Sequence, residues 1–99
     1  MEITKVGMAG TMESSDIVIT IEPNPDKGLE IQLTSPVEKQ FGNQIRQVIA
    51  DTLKSLNVEN AFVRANDKGA LDCIIRARVQ TAAARACDHF RFNWEGGNQ

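Results

Sequence analysis

Histidine and cysteine, the side chains that most often carry catalysis or bind metals, are scarce in this sequence. The single histidine is His89, and Cys73 and Cys87 lack the short CxxC spacing of metal and redox sites. The sequence also lacks a nucleophile elbow, a P-loop and a glycine-rich dinucleotide fingerprint. We therefore expect no catalytic or metal site in the chain, and two reduced thiols, with Cys73 in the core and Cys87 at the surface.

An excess of basic charge and long apolar runs are absent as well. The 11 Lys and Arg against 13 Asp and Glu give a formal net charge of -2, so the chain lacks the positive potential that non-specific nucleic-acid binding requires. No segment approaches the roughly 20 apolar residues of a membrane span, and the N-terminus lacks the basic and apolar regions of a signal peptide. We expect a cytoplasmic protein that binds neither nucleic acid nor membrane.

The composition allows one folded domain with one modest core. Of the 99 residues, 41% are hydrophobic and 24% are charged, as in ordinary globular domains. A chain of this size would need much of its fold to build an enzyme pocket, so a binding or carrier role is favoured. We expect a mobile leader over residues 1–16, a folded domain over 17–87 and a flexible tail over 88–99, because small and polar residues without periodicity fill both ends.

Apolar periodicity predicts two strands in the first half of the chain. Apolar side chains recur at every second position from Ile17, and again from Leu29. The connection Pro23–Gly28 is rich in turn-forming residues, and Gly28 is suited to a positive φ. We expect these two strands to form an antiparallel hairpin.

A helix is predicted from Pro36 to Leu56. Ser35 and Glu38 have the spacing of a capping box around a proline at the first helical position. Asn57 suits the left-handed residue that follows a helix. One apolar stripe at spacings of three and four residues supports the assignment: Val37, Phe41, Ile45, Val48, Ile49, Leu53 and Leu56.

The second half of the chain repeats the pattern of the first. A strand is predicted from Ala61 to Ala65, followed by a turn at Asn66–Gly69. The segment Leu71–Val79 alternates as a strand does, although its apolar spacing also fits a helix; the preceding turn favours a strand that changes to helix near Arg78. The predicted fold is therefore α+β, a small two-layer ββαββα domain with a mostly antiparallel four-stranded sheet and two helices on one face.

One segment has the composition of a modification site. In Gly10–Asp16, hydroxyl side chains lie among small residues and two carboxylates, just before the first predicted strand. Such a hydroxyl is exposed and within reach of another protein, and loops on a rigid scaffold commonly carry function. The same composition is ordinary for a solvated loop, so the local sequence alone leaves both interpretations open.

Three blocks of the sequence suggest a family. They are Ala9–Ser14, Ser35–Gly42 and Asp67–Arg78. Together they closely resemble the acyl carrier (gamma) subunit of citrate lyase. The resemblance runs in order from about Val6 to Ala86 and agrees with the family's short chain length.

The resemblance implies a covalently bound cofactor. Ser14, which follows Glu13 as in the family's motif, would bear 2'-(5''-triphosphoribosyl)-3'-dephospho-CoA through a phosphodiester, whereas Ser15 stands where we expect glycine in close relatives. The arm would carry acetyl and citryl thioesters while transferase (alpha) and lyase (beta) subunits cleave citrate to acetate and oxaloacetate. A prosthetic-group transferase and an acetylating ligase are the other implied partners. The chain itself would be a non-catalytic carrier.

Charged residues near these blocks have two interpretations each. Glu13 and Asp16 could steer the modifying enzyme, and Arg76 and Arg78 could contact partner acids or the phosphates of the arm. Solvation of the surface is the alternative for all four.

Two other identities for the whole chain stay open. The carrier subunit of malonate decarboxylase is the nearest rival family, and an unmodified interaction domain is the alternative from the residues alone. Fatty-acid carriers are a poor match, because they place the modified serine in Asp-Ser-Leu at a helix N-terminus.

Overall fold

The computed structural model describes residues 1–88, and within them it contains one four-stranded sheet and two helices. The elements follow in the order β1 (Gly7–Ala9), β2 (Ile17–Glu22), β3 (Leu29–Thr34), α1 (Glu38–Ser55), β4 (Ala61–Asp67) and α2 (Asp72–Arg85). Apart from Asp88, the predicted tail 88–99 lies outside the described residues. Neither helix in the described part is long and apolar enough to cross a membrane.

The sheet has the strand order β1-β2-β4-β3. β2 is antiparallel to both of its neighbours, whereas β3 runs parallel to β4, with Ile31 beside Val63. The α+β class, the four-stranded sheet and the two helices are thus confirmed. The element order is βββαβα rather than ββαββα.

The predicted hairpin between β2 and β3 is wrong. β4 lies between them and pairs with both, and α1 provides the crossover that a parallel pair requires. The connection is still a turn, and Gly28 has the expected positive φ of 75°. Its backbone bonds to the start of β4, because the Ala61 amide donates to the Gly28 oxygen at 3.0 Å. Turn chemistry was therefore assigned correctly, but it does not determine which strand becomes the neighbour.

The predicted fourth strand after the second turn is also wrong, because Asp72–Arg85 is helical. A strand would have placed Leu71, Cys73 and Ile75 together on an apolar face. In the helix, Ile75 is fully buried and Leu71 is 70% exposed. The turn before the segment ends β4 whatever follows, so it was no evidence for a strand. The buried positions have helical spacing: Ile75, Val79, Ala82, Ala83 and, just after α2, Ala86.

The helical assignment reverses the expected thiol reactivities. Cys73 is exposed rather than in the core, and Cys87 is partly buried; both are free thiols. We expect Cys73 in the folded protein to react with an aqueous thiol reagent at least as fast as Cys87, since reagent access limits the reaction. Labelling of the Cys73→Ser and Cys87→Ser variants, followed by intact mass, checks this. Labelling of Cys73 only after unfolding would contradict the position of α2.

The first 16 residues pack against the domain. Gly7–Ala9 forms β1 on the edge of the sheet, and Ile3 belongs to the core with 6% of its surface exposed. The Thr4 amide donates to the Ala86 oxygen at 2.9 Å, which ties this segment to the end of α2. Regular structure therefore begins before Ile17, within the leader that the sequence predicts over residues 1–16. The sequence pattern does not reveal β1, because a three-residue strand is too short to show alternation.

The C-terminal end of α1 agrees with the sequence. Asn57 has φ 60°, and its amide donates to the Lys54 oxygen at 3.0 Å. The Val58 amide donates to the Leu53 oxygen at 3.0 Å. This pair of bonds is a Schellman motif, which satisfies carbonyls that the helix end would leave unpaired.

The prediction of a capping box at the N-terminal end of α1 is wrong. The Ser35 hydroxyl accepts a hydrogen bond from the Val37 amide (3.1 Å) and donates one to Asp67 (2.9 Å). Glu38 instead pairs with Arg46 at 2.6 Å. Ser35 therefore links the start of α1 to the end of β4, and the helix begins at Glu38.

Both helices cover the same face of the sheet. Along β2, Ile17, Ile19 and Ile21 have no exposed surface, whereas the alternate residues Val18 and Thr20 are partly exposed. β2 begins at the end of the sheet where β3 and β4 finish. The β1–β2 loop, the turn after β4 and the first turns of both helices therefore lie at one end of the domain.

Candidate functional site

The segment singled out by sequence, Gly10–Asp16, is the loop between β1 and β2 and is called the serine loop below. It starts with a close approach of two backbone segments. Gly10 has φ 104°, and a Cβ atom at this position would lie 1.8 Å from the Ile17 oxygen. A glycine is therefore required where the chain enters the loop.

Ser14 lies at the corner of a hydrogen-bonded turn. The Asp16 amide donates to the Glu13 oxygen at 3.2 Å, which closes a four-residue turn. Within it, only Ser15 has a positive φ, of 68°. This is the pattern of a type II turn, whose third residue is preferably glycine. The conformation gives a physical reason for the glycine expected at position 15, and it leaves Ser14 as the exposed second residue.

Asp16 is the hydrogen-bonding centre of the serine loop. Its carboxylate accepts from the Thr11 amide (3.1 Å), the Thr11 hydroxyl (2.7 Å) and the Ile17 amide (2.7 Å). Nε and Nη2 of Arg78 donate to it at 2.9 Å each. The pKa of Asp16 lies far below its ordinary value of 3.8. The largest cause is the hydrogen bond from Arg78, followed by those from Thr11 and Ile17. The same ion pair raises the pKa of Arg78.

The lowered pKa of Asp16 predicts a pH-dependent stability. The folded carboxyl binds its proton only at a lower pH than the unfolded one, so its contribution is complete above the unfolded value near 3.8 and is lost as the pH falls below it. Asp16→Asn should lower the urea midpoint near pH 7, and the gap to wild type should narrow near pH 3. Glu13→Gln, which changes an exposed carboxylate of the same loop, is the control and should leave the midpoint nearly unchanged at both pH values. An equal gap at both pH values for Asp16→Asn would contradict the ionised pair.

The serine loop is also bonded to the turn after β4. The Ser15 amide donates to the Lys68 oxygen at 2.8 Å, and the Lys68 amide donates to the Asp16 oxygen at 2.9 Å. These bonds extend the β2–β4 ladder by one step beyond the Ile17–Asp67 pair. The loop is therefore fixed by backbone bonds on one side and by Arg78 of α2 on the other.

The four charged residues that the sequence singles out differ in burial and in pairing. Asp16 is buried, so it holds the loop and is not presented to a partner. Arg78 pairs with Asp16, whereas Arg76 and Glu13 are exposed. Sequence reasoning missed the pairing because the two residues are 62 positions apart and the intervening segment was assigned partly to a strand.

Ser14 is exposed, and its hydroxyl makes no hydrogen bond with any residue that the structure describes. A groove of about 630 Å³ lies elsewhere, among residues 1–3, 24–26, 57 and 59–60. Because β2 ends and β4 begins beside those residues, the groove is at the opposite end of the sheet from Ser14. Ser15 is exposed as well, so the serine loop places two adjacent hydroxyl side chains at the surface and is not a pocket.

Known proteins are similar in sequence to this chain over most of its length. The chain matches the family model described as malonate decarboxylase delta subunit (MdcD) over residues 4–86. It is 54% identical over 94 residues to the citrate lyase acyl carrier protein of Vibrio cholerae serotype O1, covering 95% of this chain and 96% of the relative. The protein of the same name from Lacticaseibacillus casei is 58% identical over 95 residues, covering 96% and 93%. That from Clostridium perfringens is 50% identical over 94 residues, covering 95% and 93%.

The fold has a counterpart among solved structures. A chain in the crystal structure of a Pseudomonas malonate decarboxylase hetero-tetramer in complex with malonate superposes with a TM-score of 0.65 and 17% identity, covering 83% of this chain and 88% of that one. At this identity the likeness concerns the fold alone. Identities of half or more over nearly full length carry more weight. The chain belongs to the citrate lyase acyl carrier protein family, and this membership implies a covalently attached prosthetic group.

Proposed function

We propose that this chain is the acyl carrier subunit of a citrate lyase and that Ser14 is the attachment point of its prosthetic group. One observation carries the proposal: an exposed serine hydroxyl without a hydrogen bond to the described residues lies at the corner of a fixed turn, in a chain of this family. A carrier needs one reachable nucleophile and a scaffold that keeps it accessible, and the serine loop supplies both.

The serine loop fits a phosphodiester at Ser14. The hydroxyl is exposed and has no hydrogen-bond partner among the described residues, so substitution of its proton breaks no contact. Ser15 fits less well, because its amide is bonded to Lys68 and its backbone is in the left-handed region. The two serines also differ in backbone conformation, since only Ser15 has a positive φ, so an enzyme that accepts one would meet the other in a different backbone setting.

The proposed precursor of the group is 2'-(5''-triphosphoribosyl)-3'-dephospho-CoA, which keeps one of its three phosphates as the phosphodiester to Ser14. When bound, it supplies a terminal thiol on which acetyl and citryl groups are carried as thioesters during cleavage of citrate to acetate and oxaloacetate. The protein itself positions the attachment point of the arm. Asp16 and Arg78 hold the anchor of the arm at one end of the domain, and tethering raises the concentration of the acyl group at the partner active sites.

The proposal assigns the chemistry to other proteins in the cytoplasm. The transferase (alpha) and lyase (beta) subunits of citrate lyase would act on the tethered acyl groups. A prosthetic-group transferase would load Ser14, and an acetylating ligase would charge the thiol. The chain itself would act as a non-catalytic carrier within this complex.

A carrier subunit of malonate decarboxylase is the second candidate. The description of the matching family model favours it, since that model covers residues 4–86. Curated relatives with 50–58% identity favour citrate lyase more strongly, because such identity spans nearly their full length. Both candidates would use the same serine, so Ser14 does not distinguish between them.

Reconstitution distinguishes the two candidates. The loaded and acetylated chain should restore citrate cleavage when it is added to citrate lyase alpha and beta subunits that lack their carrier, and the unloaded chain should not. Oxaloacetate formation is the readout. Restoration of malonate decarboxylation by its carrier-free complex, without restoration of citrate cleavage, would replace the proposal by the second candidate.

A further inference from the structure

The ion pair between Asp16 and Arg78 joins the serine loop to α2 across 62 residues of sequence. Both carboxylate oxygens take part, since Nε donates to Oδ1 and Nη2 donates to Oδ2, each at 2.9 Å. A bidentate pair of this kind fixes orientation as well as distance, because a planar guanidinium matches a planar carboxylate. Arg78 therefore restrains how Asp16, two residues after Ser14, is oriented.

The part of α2 that carries Arg78 is packed firmly into the core. Arg78 is followed directly by Val79 on α2, and Val79 and Ile75 are fully buried in the core. The side chain of Arg78 is 38% exposed and that of Asp16 is 12% exposed. Partly exposed ion pairs contribute little to stability in general. Their geometry is the more consequential property here, because the serine loop is otherwise held by its backbone bonds to Lys68 and by the hydrogen bonds from Thr11 to Asp16, none of which involves a helix.

We infer that Arg78 is a positioning residue for attachment of the arm: it fixes the turn so that the Ser14 hydroxyl, and not that of Ser15, is presented to the modifying enzyme. The inference rests on the proposed function. In the attachment step the Ser14 oxygen forms a bond to the first phosphorus of the triphosphate precursor. The bond from that phosphorus to the oxygen shared with the second phosphorus breaks, and pyrophosphate leaves. The hydroxyl proton passes to a base of the modifying enzyme.

Kinetics of arm attachment test the role of Arg78. Arg78→Gln should lower the kcat of attachment about tenfold with a small change in KM for the carrier, because misplacement of a reacting group by a fraction of an ångström has effects of this size. It should also raise the fraction of arm found on Ser15. Arg78→Lys keeps the charge without the bidentate geometry and should recover only part of the rate. Arg76→Gln removes an exposed charge two residues away on the same helix and is the matched control, with an unchanged rate expected.

Amide exchange provides a readout that does not depend on the arm. Arg78→Gln should speed the exchange of the Ser15 and Asp16 amides, which bond to Lys68 and Glu13, while the amides of central β4 keep their protection. Because wild type and variant are compared well below their unfolding temperatures, a loss of global stability alone would change neither these two amides nor the attachment rate. Exchange and attachment in Arg78→Gln that match Arg76→Gln would overturn the inference. A wild-type chain that exchanges as expected but receives no arm would overturn the proposed function instead.

Discussion

Replacing Ser14 by alanine is expected to abolish arm attachment and, with it, citrate cleavage by the assembled complex. The side chain is exposed and makes no hydrogen bond with the described residues, so its removal should change the free energy of unfolding by no more than about 0.5 kcal/mol. Binding to the partner subunits should persist because the backbone turn from Glu13 to Asp16 does not involve the lost oxygen. Intact mass and co-purification with the alpha and beta subunits measure the two effects separately.

Ser15→Ala is the matched control for this substitution. It removes the adjacent hydroxyl and leaves the backbone turn in place, so the arm should still be attached at Ser14, although more slowly if the modifying enzyme contacts both residues. A Ser14→Ala chain that still acquires the arm and supports citrate cleavage would contradict the assignment and make Ser15 the first candidate.

Gly10→Ala is expected to have the largest effect on the fold of the serine loop. The new Cβ atom would lie 1.8 Å from the backbone oxygen of Ile17, and φ at this position is 104°. Neither the β1–β2 pairing nor the backbone of Ile17 can shift without loss of contacts, because Ile17 is fully buried. We expect a loss of about 3 kcal/mol or more in the free energy of unfolding. Urea unfolding at neutral pH measures the loss.

Gly28→Ala separates the two causes of this effect. Gly28 also has a positive φ, of 75°, but nothing lies within 4 Å of the position where its Cβ would be. The cost of the left-handed conformation alone, about 1 kcal/mol, should therefore be all that is lost there. Equal losses in the two variants would show that the contact between Gly10 and Ile17 is looser than described.

The local elements of the fold were largely predictable, and their pairing was not. β2, β3 and β4 were predicted because each shows two-residue alternation over six or seven residues, and α1 because its apolar stripe runs for five turns. The neighbour of β3 depends on contacts across α1, about which alternation carries no information. A turn such as Asn66–Gly69 is typical of a hairpin, but here it only ends β4.

The segment Leu71–Val79 shows why local pattern can mislead. Every second residue is apolar, as in a strand, and every third or fourth residue is apolar, as in a helix. The alanines that follow decide the matter, because Ala82, Ala83 and Ala86 continue the helical face and are fully buried. The strand assignment gave too little weight to that continuation.

In the candidate site too, local features were predictable from the sequence and long-range contacts were not. Ser14 was found from a resemblance, and the exposure of the loop from its composition. The ion pair between Asp16 and Arg78 could not be found, because it needs the correct path of α2 and the correct end of the sheet. The positive φ of Ser15 had one signal, the glycine that the family resemblance implies at this position.

The central claim is that this chain carries an arm on Ser14, and tandem mass spectrometry of the natively produced chain tests it most directly. Trypsin cleavage after Lys5 and Lys27 releases a peptide that contains both Ser14 and Ser15. We expect this peptide to bear the CoA-derived arm, and the fragment ions to place it on Ser14. An arm on Ser15 would contradict the site, and an unmodified peptide from a complex that actively cleaves citrate would contradict the carrier function itself.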